Sequence, residues 1–487
     1  MPAHPDRLLG SDPAVVDLAR DLYETVAKAP IISPHGHVSA QMIAEDKPFT
    51  DPAALLVTPD HYITRLLHSA GVPPQSLGLG AAGPSRSPSA TTAPREIWRT
   101  LCENWRLFAG TPVRYWLQDT LARVFKLEPA LSAQTADELY DALAARLRQD
   151  AFRPRALLAG FGVELLATTD DPADTLAHHD ALAADGFGVR VIPTFRADAY
   201  MTPGGKRWRE RLKALSQASG VDCESYRGLL DGLRVRREYF RAHGATATDT
   251  GVQDAWATPL SDREAEAIHQ RALTGSVNDR EALAYRRNML YQLGLLAAQD
   301  GLVMQLHAGV VRNHHRPTFT AFGPDTGHDI PVRTDFVQPL RELLNAVGTS
   351  PNFRIVLFTT DETAFSREIA PLAGFYPSVY IGAPWWFLDA PAAVRRFREA
   401  VTETAGFYKT SGFVDDTRAL CSIPARHDMS RRLDARYLAE LVANHQLTVR
   451  EARQIAQDLV GEIPRSAFRL APSGTLAGRQ DRGILSA

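Results

Sequence analysis

Ala29-Pro30-Ile31-Ile32-Ser33-Pro34-His35-Gly36-His37 is a short apolar run that stops at a proline and two histidines one residue apart. The run 29–33 is too short for a stable helix and lacks the alternation of a half-exposed strand, so it reads as a buried parallel strand. Seven similar runs follow. Residues 163–168 lead to Thr169-Asp170-Asp171-Pro172, and 189–194 to Phe195-Arg196. The weaker run 245–248 ends at Asp249, 302–306 at His307, and 354–358 at Thr359-Thr360-Asp361. Residues 379–382 run into Trp385-Trp386-Phe387, and 412–414 into Asp415-Asp416-Thr417-Arg418. Helix-compatible sequence follows each run. Eight strand–helix units predict a closed (β/α)8 barrel of the TIM type. An open doubly wound sheet would carry a glycine-rich phosphate turn after its first strand. No GxGxxG follows the first run here. The polar residues sit where the runs end, and in a barrel those ends face the active site.

The spacing is uneven. Roughly 125 residues lie between the first two runs, against about 30 for a whole strand–helix–strand unit. Ile97, Leu101, Trp105 and Phe108 fall at helical spacing within 95–108, and 137–147 is similar. Residues 38–160 are therefore predicted to form a mainly helical insertion over the barrel mouth, between strands one and two. This leaves 1–37 for an N-terminal helix and the first strand, and 161–462 for the rest of the barrel. Another helical region is expected over 261–299, with closing helices over 437–459. The stretch 81–94, rich in Ala, Gly, Ser, Thr and Pro, is expected to be a loop, and the tail 463–487 to be loosely held.

With 487 residues, 45% apolar and 23% charged, the composition is that of an ordinary soluble globular protein. A net charge of −2 gives no sign of a nucleic-acid or acidic-membrane partner. No apolar run reaches the length of about 18 residues needed for a transmembrane helix, and no secretory signal is expected at the N-terminus. Cys102, Cys223 and Cys421 are scattered. That argues against a disulfide framework or a thiolate zinc site and predicts a cytoplasmic setting.

His35 and His37 project to one face of an extended segment, so two imidazoles can hold one divalent cation. A pair of surface or capping histidines would look the same. His307 is either a third nitrogen at the mouth or a hydrogen-bonded core residue. Asp416 is a ligand, a general base or a helix N-cap. If all eight strand ends meet at one mouth, His35, His37, His307 and Asp416 gather there and form an open Lewis-acidic site for one divalent metal, zinc by donor type.

This arrangement resembles the amidohydrolase superfamily, which has HxH after strand one, His after strand five and Asp after strand eight. The bridging Lys of strand four and the His of strand six are missing, so a one-metal variant is expected. The sequence resembles the uronate isomerase family more closely, from about residue 31 to 433. The matching stretches are His35-Gly36-His37, Asp60-His61-Tyr62 with Arg65, Thr168-Thr169-Asp170-Asp171-Pro172 and Pro193-Thr194-Phe195-Arg196-Ala197-Asp198. Further along are Met304-Gln305-Leu306-His307-Ala308-Gly309 with Arg312-Asn313, and Gly323-Pro324-Asp325-Thr326-Gly327. Trp385-Trp386-Phe387, Asp416-Thr417-Arg418 and Arg426-His427 complete the set. There are departures. The family often has Cys at the position of Gly36, Asp-His-Gly in place of Asp249-Thr250-Gly251, and an Asn-rich stretch in place of His314-His315.

The resemblance implies an aldose–ketose isomerase that interconverts D-glucuronate and D-fructuronate, and D-galacturonate and D-tagaturonate. It implies a homo-oligomer whose partner is a small-molecule uronate. Asp416, acting with the metal, would take the C2 proton. His61 and Tyr62, adjacent in the insertion, could cap the site, with Tyr62 either shuttling a proton or hydrogen-bonding the developing oxyanion. Without the resemblance they read as a packed pair. Arg196 and Arg418, with Arg312 in reserve, are candidates for the substrate carboxylate, since guanidinium binds carboxylate through two parallel bonds. Surface salt bridges are the alternative. Trp385 and Trp386 could stack on the sugar or pack in the core. Asp170-Asp171-Pro172 supports the site or starts a helix. The competing functions are a mononuclear metal-dependent hydrolase and a barrel that binds sugar acids without catalysis.

Overall fold

The computed structural model describes residues 4–80, 92–128 and 130–471. The chain is an α/β protein built on parallel strands. β1 (Ile31–Ser33), β2 (Val163–Ala167) and β3 (Arg190–Ile192) form one parallel sheet in that order. A second sheet has the order β10-β9-β6-β5-β4, from β4 (Phe195–Arg196), β5 (Ala247–Val252), β6 (Val303–Ala308), β9 (Ile355–Thr359) and β10 (Val379–Ile381). β7 (Val310–Val311) and β8 (Ile330–Pro331) pair antiparallel beside the strand ends. Each strand of this ribbon has only two residues, too few for a periodicity to predict it. A parallel bridge between Asp170 and Phe195 links the two sheets. A second parallel bridge carries Ile381 to Thr410, and the His37 amide donates to the Thr417 carbonyl at 3.1 Å.

Every residue of β1, β6 and β9 is buried, as expected for parallel strands covered on both faces. Ile32, Leu165, Ile192, Ala247, Val303 and Val356 form one inner cluster, joined by Ala467, Phe468 and Leu470 from the end of the chain. The expected loose tail is therefore corrected over 463–471. Glu462–Ala467 is a helix, and Phe468 is fully buried against the strands. Residues 472–487 lie outside the described residues. The predicted strand 412–414 is also corrected. No strand forms there among the described residues, because Gly412 takes a left-handed backbone with φ 71° and pairing stops at the Thr410 bridge. Of the predicted loop 81–94, residues 81–91 lie outside the described residues, Thr92 and Ala93 are in no helix or strand, and Pro94 opens the helix Pro94–Glu103.

Between β1 and β2, short helices pack around their own core of Ile63, Leu67, Trp98, Leu101, Trp116 and Leu139. Their ends are set locally. Asp60 caps His61–Ser69 by accepting from the Tyr62 amide at 2.8 Å, and the cap fixes where His61 and Tyr62 point. The region 261–299 divides into Asp262–Thr274 and Asp279–Asp300, each opened by a complete capping box, from Ser261 with Glu264 and from Asn278 with Glu281. The closing helices are Ile423–Ala443 and Val449–Val460. The first starts 14 residues before the predicted 437, because its buried face is charged rather than apolar. Asp428 is held by Arg7 at 2.7 Å and Arg432 at 2.8 Å, and Arg398 binds Asp434 at 2.6 Å. Among the described residues no helix is long and apolar enough to cross a membrane.

Candidate active site

The C-terminal ends of the strands open into a cavity of about 430 Å³. His35, His37, His61, Tyr62, Arg196, His307, Arg312, Trp385, Trp386, Asp416 and Arg418 all line it. Residues nearly 400 positions apart in the chain thus meet at one mouth.

Asp416 Oδ1 lies 3.0 Å from His37 Nε2 and 3.4 Å from His35 Nε2. Asp416 Oδ1 is buried and makes no hydrogen bond among the described residues. Three donor atoms, one on each of these residues, lie within 4.8 Å of one another. Two imidazoles and a carboxylate that converge on one point suit a divalent cation. Burial works against the charge of Asp416, but the His37 and His35 imidazoles hold its carboxyl well below the usual range. Its backbone is left-handed, with φ 39°. Trp386, Asn313 and Asp325 around the same cavity are also left-handed, at φ 53°, 55° and 61°. Such strain in non-glycine residues collects at functional sites.

His307 stacks on His35 with ring centroids 4.8 Å apart. Its Nδ1 donates to Asp249 Oδ1 at 2.7 Å. A carboxylate only accepts, so the proton sits on Nδ1. His307 Nε2 is left buried with no hydrogen-bond partner among the described residues. His35, Asp249 and His307 form a second group able to hold a cation, but Arg196 Nη1 already lies 3.0 Å from Asp249 Oδ2. That guanidinium opposes a second positive charge. Arg196 Nε also binds Asp198 Oδ2 at 2.8 Å. Asp198 in turn accepts from the Gly251 amide at 3.1 Å.

His61 and Tyr62 stack on each other, with centroids 4.7 Å apart, at the start of the helix His61–Ser69. Burial, reinforced by Arg418, lowers the His61 imidazole to about 3, so it is neutral at working pH. Burial pushes the Tyr62 phenol far up against the pull of Arg426, so it stays protonated. Trp386 packs edge-on against His61 at 5.2 Å and lies under Arg312 at 4.7 Å. Trp385 is buried and packs on His307 at 4.8 Å. Arg418 Nη2 meets Asp325 Oδ2 at 3.3 Å, and Arg312 Nη1 meets Asp329 Oδ2 at 3.0 Å. Asp170 and Asp171 line a neighbouring cavity instead. Asp170 accepts from Thr168 Oγ1 at 2.6 Å and Asp171 from Tyr200 at 2.9 Å.

Beneath Tyr62, the fully buried Arg426 lies over the Trp116 ring at 3.6 Å and binds Asp389 Oδ2 at 2.5 Å. Burial raises the Asp389 carboxyl to about 7 despite Arg426. Removing Arg426 strands the buried Asp389 carboxyl without its partner, and the carboxyl must then take up a proton or remain an unpaired charge. Arg426→Met is expected to lower the unfolding free energy by about 3–5 kcal/mol, as measured by urea denaturation, and a loss within 1 kcal/mol would show that Asp389 is satisfied otherwise.

A family model described as glucuronate isomerase matches residues 14–468. The chain belongs to the uronate isomerase family. It is 48% identical to a uronate isomerase of Corynebacterium efficiens over 470 residues, 96% of this chain and 99% of the relative. The crystal structure of glucuronate isomerase from Caulobacter crescentus matches with a TM-score of 0.92 at 43% identity, covering 97% of this chain and 98% of that one. The uronate isomerase structure from Thermotoga maritima matches at 0.88 and 30% identity, covering 96% and 100%. The chain is thus an isomerase. At Gly36 a Cβ would come no closer than 3.5 Å to any neighbour, so the backbone there does not require glycine.

Sequence reasoning missed Asp249, Asp198, Asp325 and the Arg426–Asp389 pair as parts of the site. Asp198, Asp325 and Arg426 stood inside quoted motifs, but their roles depend on partners far along the chain. Asp249 ended the weakest of the eight runs.

Proposed function

We propose that the protein interconverts D-glucuronate and D-fructuronate, and D-galacturonate and D-tagaturonate, by moving a proton between C2 and C1 through a cis-enediol. The observation that carries this reading is the meeting of His35, His37 and Asp416 with His61, Tyr62 and Arg418 around one cavity. In the same reading β1, β2, β3 with β4, β5, β6, β9 and β10, with the bridged stretch at Thr410 in the eighth place, close into a (β/α)8 barrel. The two linking bridges and the contact from His37 to Thr417 support closure.

His35, His37 and Asp416 would hold one divalent cation, zinc by the donor set, with His307 beside it. When bound, the ion supplies Lewis acidity toward substrate oxygens. Asp416 is placed to take the C2 proton and return it at C1. A carboxylate is a weak base, so Asp416 takes a proton only from a carbon whose acidity is raised by a polarised neighbouring oxygen. Tyr62, kept protonated by burial, donates a hydrogen bond to the enediolate oxygen as charge develops. Neutral His61 orients a sugar hydroxyl from the same helix start. Asp249 fixes the tautomer of His307, so that His307 presents its free Nε2 to the substrate.

Of the arginines that line the cavity, Arg196, Arg312 and Arg418 differ in what already holds them. Arg196 is neutralised by two carboxylates, while Arg418 faces one and is half-exposed. Arg418 is therefore assigned the C6 carboxylate, assisted by Arg312, with Arg196 on the opposite wall. Trp386 covers the sugar face between His61 and Arg312. Cys102, Cys223 and Cys421 are all free thiols and buried, in keeping with a reducing cytoplasm.

Incubation with D-glucuronate or D-galacturonate and added zinc, followed by proton NMR, is expected to show the 2-keto acid. No conversion of either sugar would overturn the reading.

A further inference from the structure

Asp325 is a carboxylate that the chain places among its own carboxylate-binding groups. Its Oδ2 lies 3.3 Å from Arg418 Nη2 and its Oδ1 lies 3.9 Å from Arg312 Nη1. The turn that carries it is built to deliver it there. Gly323, Asp325 and Gly327 all hold left-handed backbone, with φ 83°, 61° and 92°. Gly327 is pressed against the helix that bears His61 and Tyr62, and a Cβ on it would sit 2.8 Å from Arg65 Cβ. The turn is therefore seated on the active-site wall. Arg312 keeps a carboxylate of its own in Asp329, which also accepts from the Asn313 amide at 2.6 Å. For Arg418, Asp325 is the one anionic ion-pair partner found among the described residues.

We propose that Asp325 is an internal competitor for the substrate-binding Arg418, a carboxylate that occupies the guanidinium in the free protein, must be displaced by a ligand's own carboxylate and so sets the affinity for acids. The inference rests on the assignment of Arg418 to the C6 carboxylate. Two carboxylates cannot share the same face of one guanidinium. A uronate exchanges one charge-assisted pair for another and gains only the difference, whereas a neutral sugar has nothing to offer in exchange and leaves the pair intact. Burial works against the charge on Asp325, but Arg418 and Arg312 hold its carboxyl below the usual range, so it competes as an anion at working pH. Displacement needs only the side chain to turn away, because the backbone stays anchored at Gly327.

The test uses D-gluconate, a sugar acid without a carbonyl to isomerise, and neutral D-glucitol as competitive inhibitors of wild type and Asp325→Asn. Asn tolerates the left-handed backbone, so the substitution removes charge with little strain. Removing the competitor is expected to lower the Ki of D-gluconate and the KM for uronate by about two- to fivefold, the factor a half-exposed ion pair is worth. The Ki of D-glucitol stays unchanged. An unchanged or raised Ki for D-gluconate would overturn the inference, by showing that Asp325 orients Arg418 or binds a sugar hydroxyl. Should the variant fold poorly, a crystal of wild-type protein with D-gluconate decides. Asp325 is expected more than 4 Å from Arg418, and an intact pair overturns the inference. If wild type turns uronates over and these results fail, Asp325 alone is misassigned. If wild type turns over no uronate, the functional reading fails first.

Discussion

Asp416→Asn is expected to lower kcat by at least about 1,000-fold, within the 10²- to 10⁴-fold that a positioned acid–base group contributes, while leaving the protein folded. The side chain has two duties at once. Its Oδ1 is the atom that His35 and His37 converge on, and it is the one carboxylate oxygen directed at both imidazoles. The amide that replaces it is neutral and is a far poorer proton acceptor. The fold is expected to survive because Asp416 lies after the last strand segment, at the rim of the cavity, and the amide keeps the size and shape of the side chain. Circular dichroism and thermal unfolding check the fold, and NMR turnover of D-glucuronate checks activity. Near-wild-type turnover would remove Asp416 from the role of base.

Arg418→Met is expected to raise KM for a uronate by about 10- to 100-fold, the factor for losing a hydrogen bond to a charged group. Binding of a neutral aldose changes little. Arg418 is half-exposed, so its removal leaves no cavity in a core. Its loss also frees the Asp325 carboxylate inside the mouth, where it repels a uronate. Both effects act in the same direction and on binding rather than on the proton transfer. Inhibition constants for D-gluconate and D-glucitol, measured in parallel, separate the two ligands. Equal weakening of both would mean that Arg418 shapes the wall and does not bind the carboxylate.

The strand ends were legible because burial on both faces writes a strand as an unbroken apolar run, with the first polar residue marking the mouth. His35, His37 and His307 follow from that rule alone. Asp249 was harder, since β5 carries Thr248, Asp249 and Thr250 buried inside it, which hides the strand's apolar signature. What makes Asp249 tolerable there is the pair of Arg196 and His307, 53 and 58 positions away in the chain. The helix Ile423–Ala443 shows the same limit. Arg426, Asp428, Arg432 and Asp434 are all buried, so the apolar period that marks an ordinary surface helix is absent. The end of the chain was misread because Phe468 and Leu470 flank a charge, Arg469, in a run too short to show a period, and only the strands' inner face shows what they pack against.

The central claim is that one cation sits between the first strand's histidines and Asp416. Anomalous diffraction at the zinc edge from crystals soaked in zinc locates it most directly. The account predicts a single peak about 2.0–2.2 Å from the His35 and His37 nitrogens and the Asp416 carboxylate. A peak shared by His35, His307 and Asp249 with none at His37, in crystals of active protein, would contradict it.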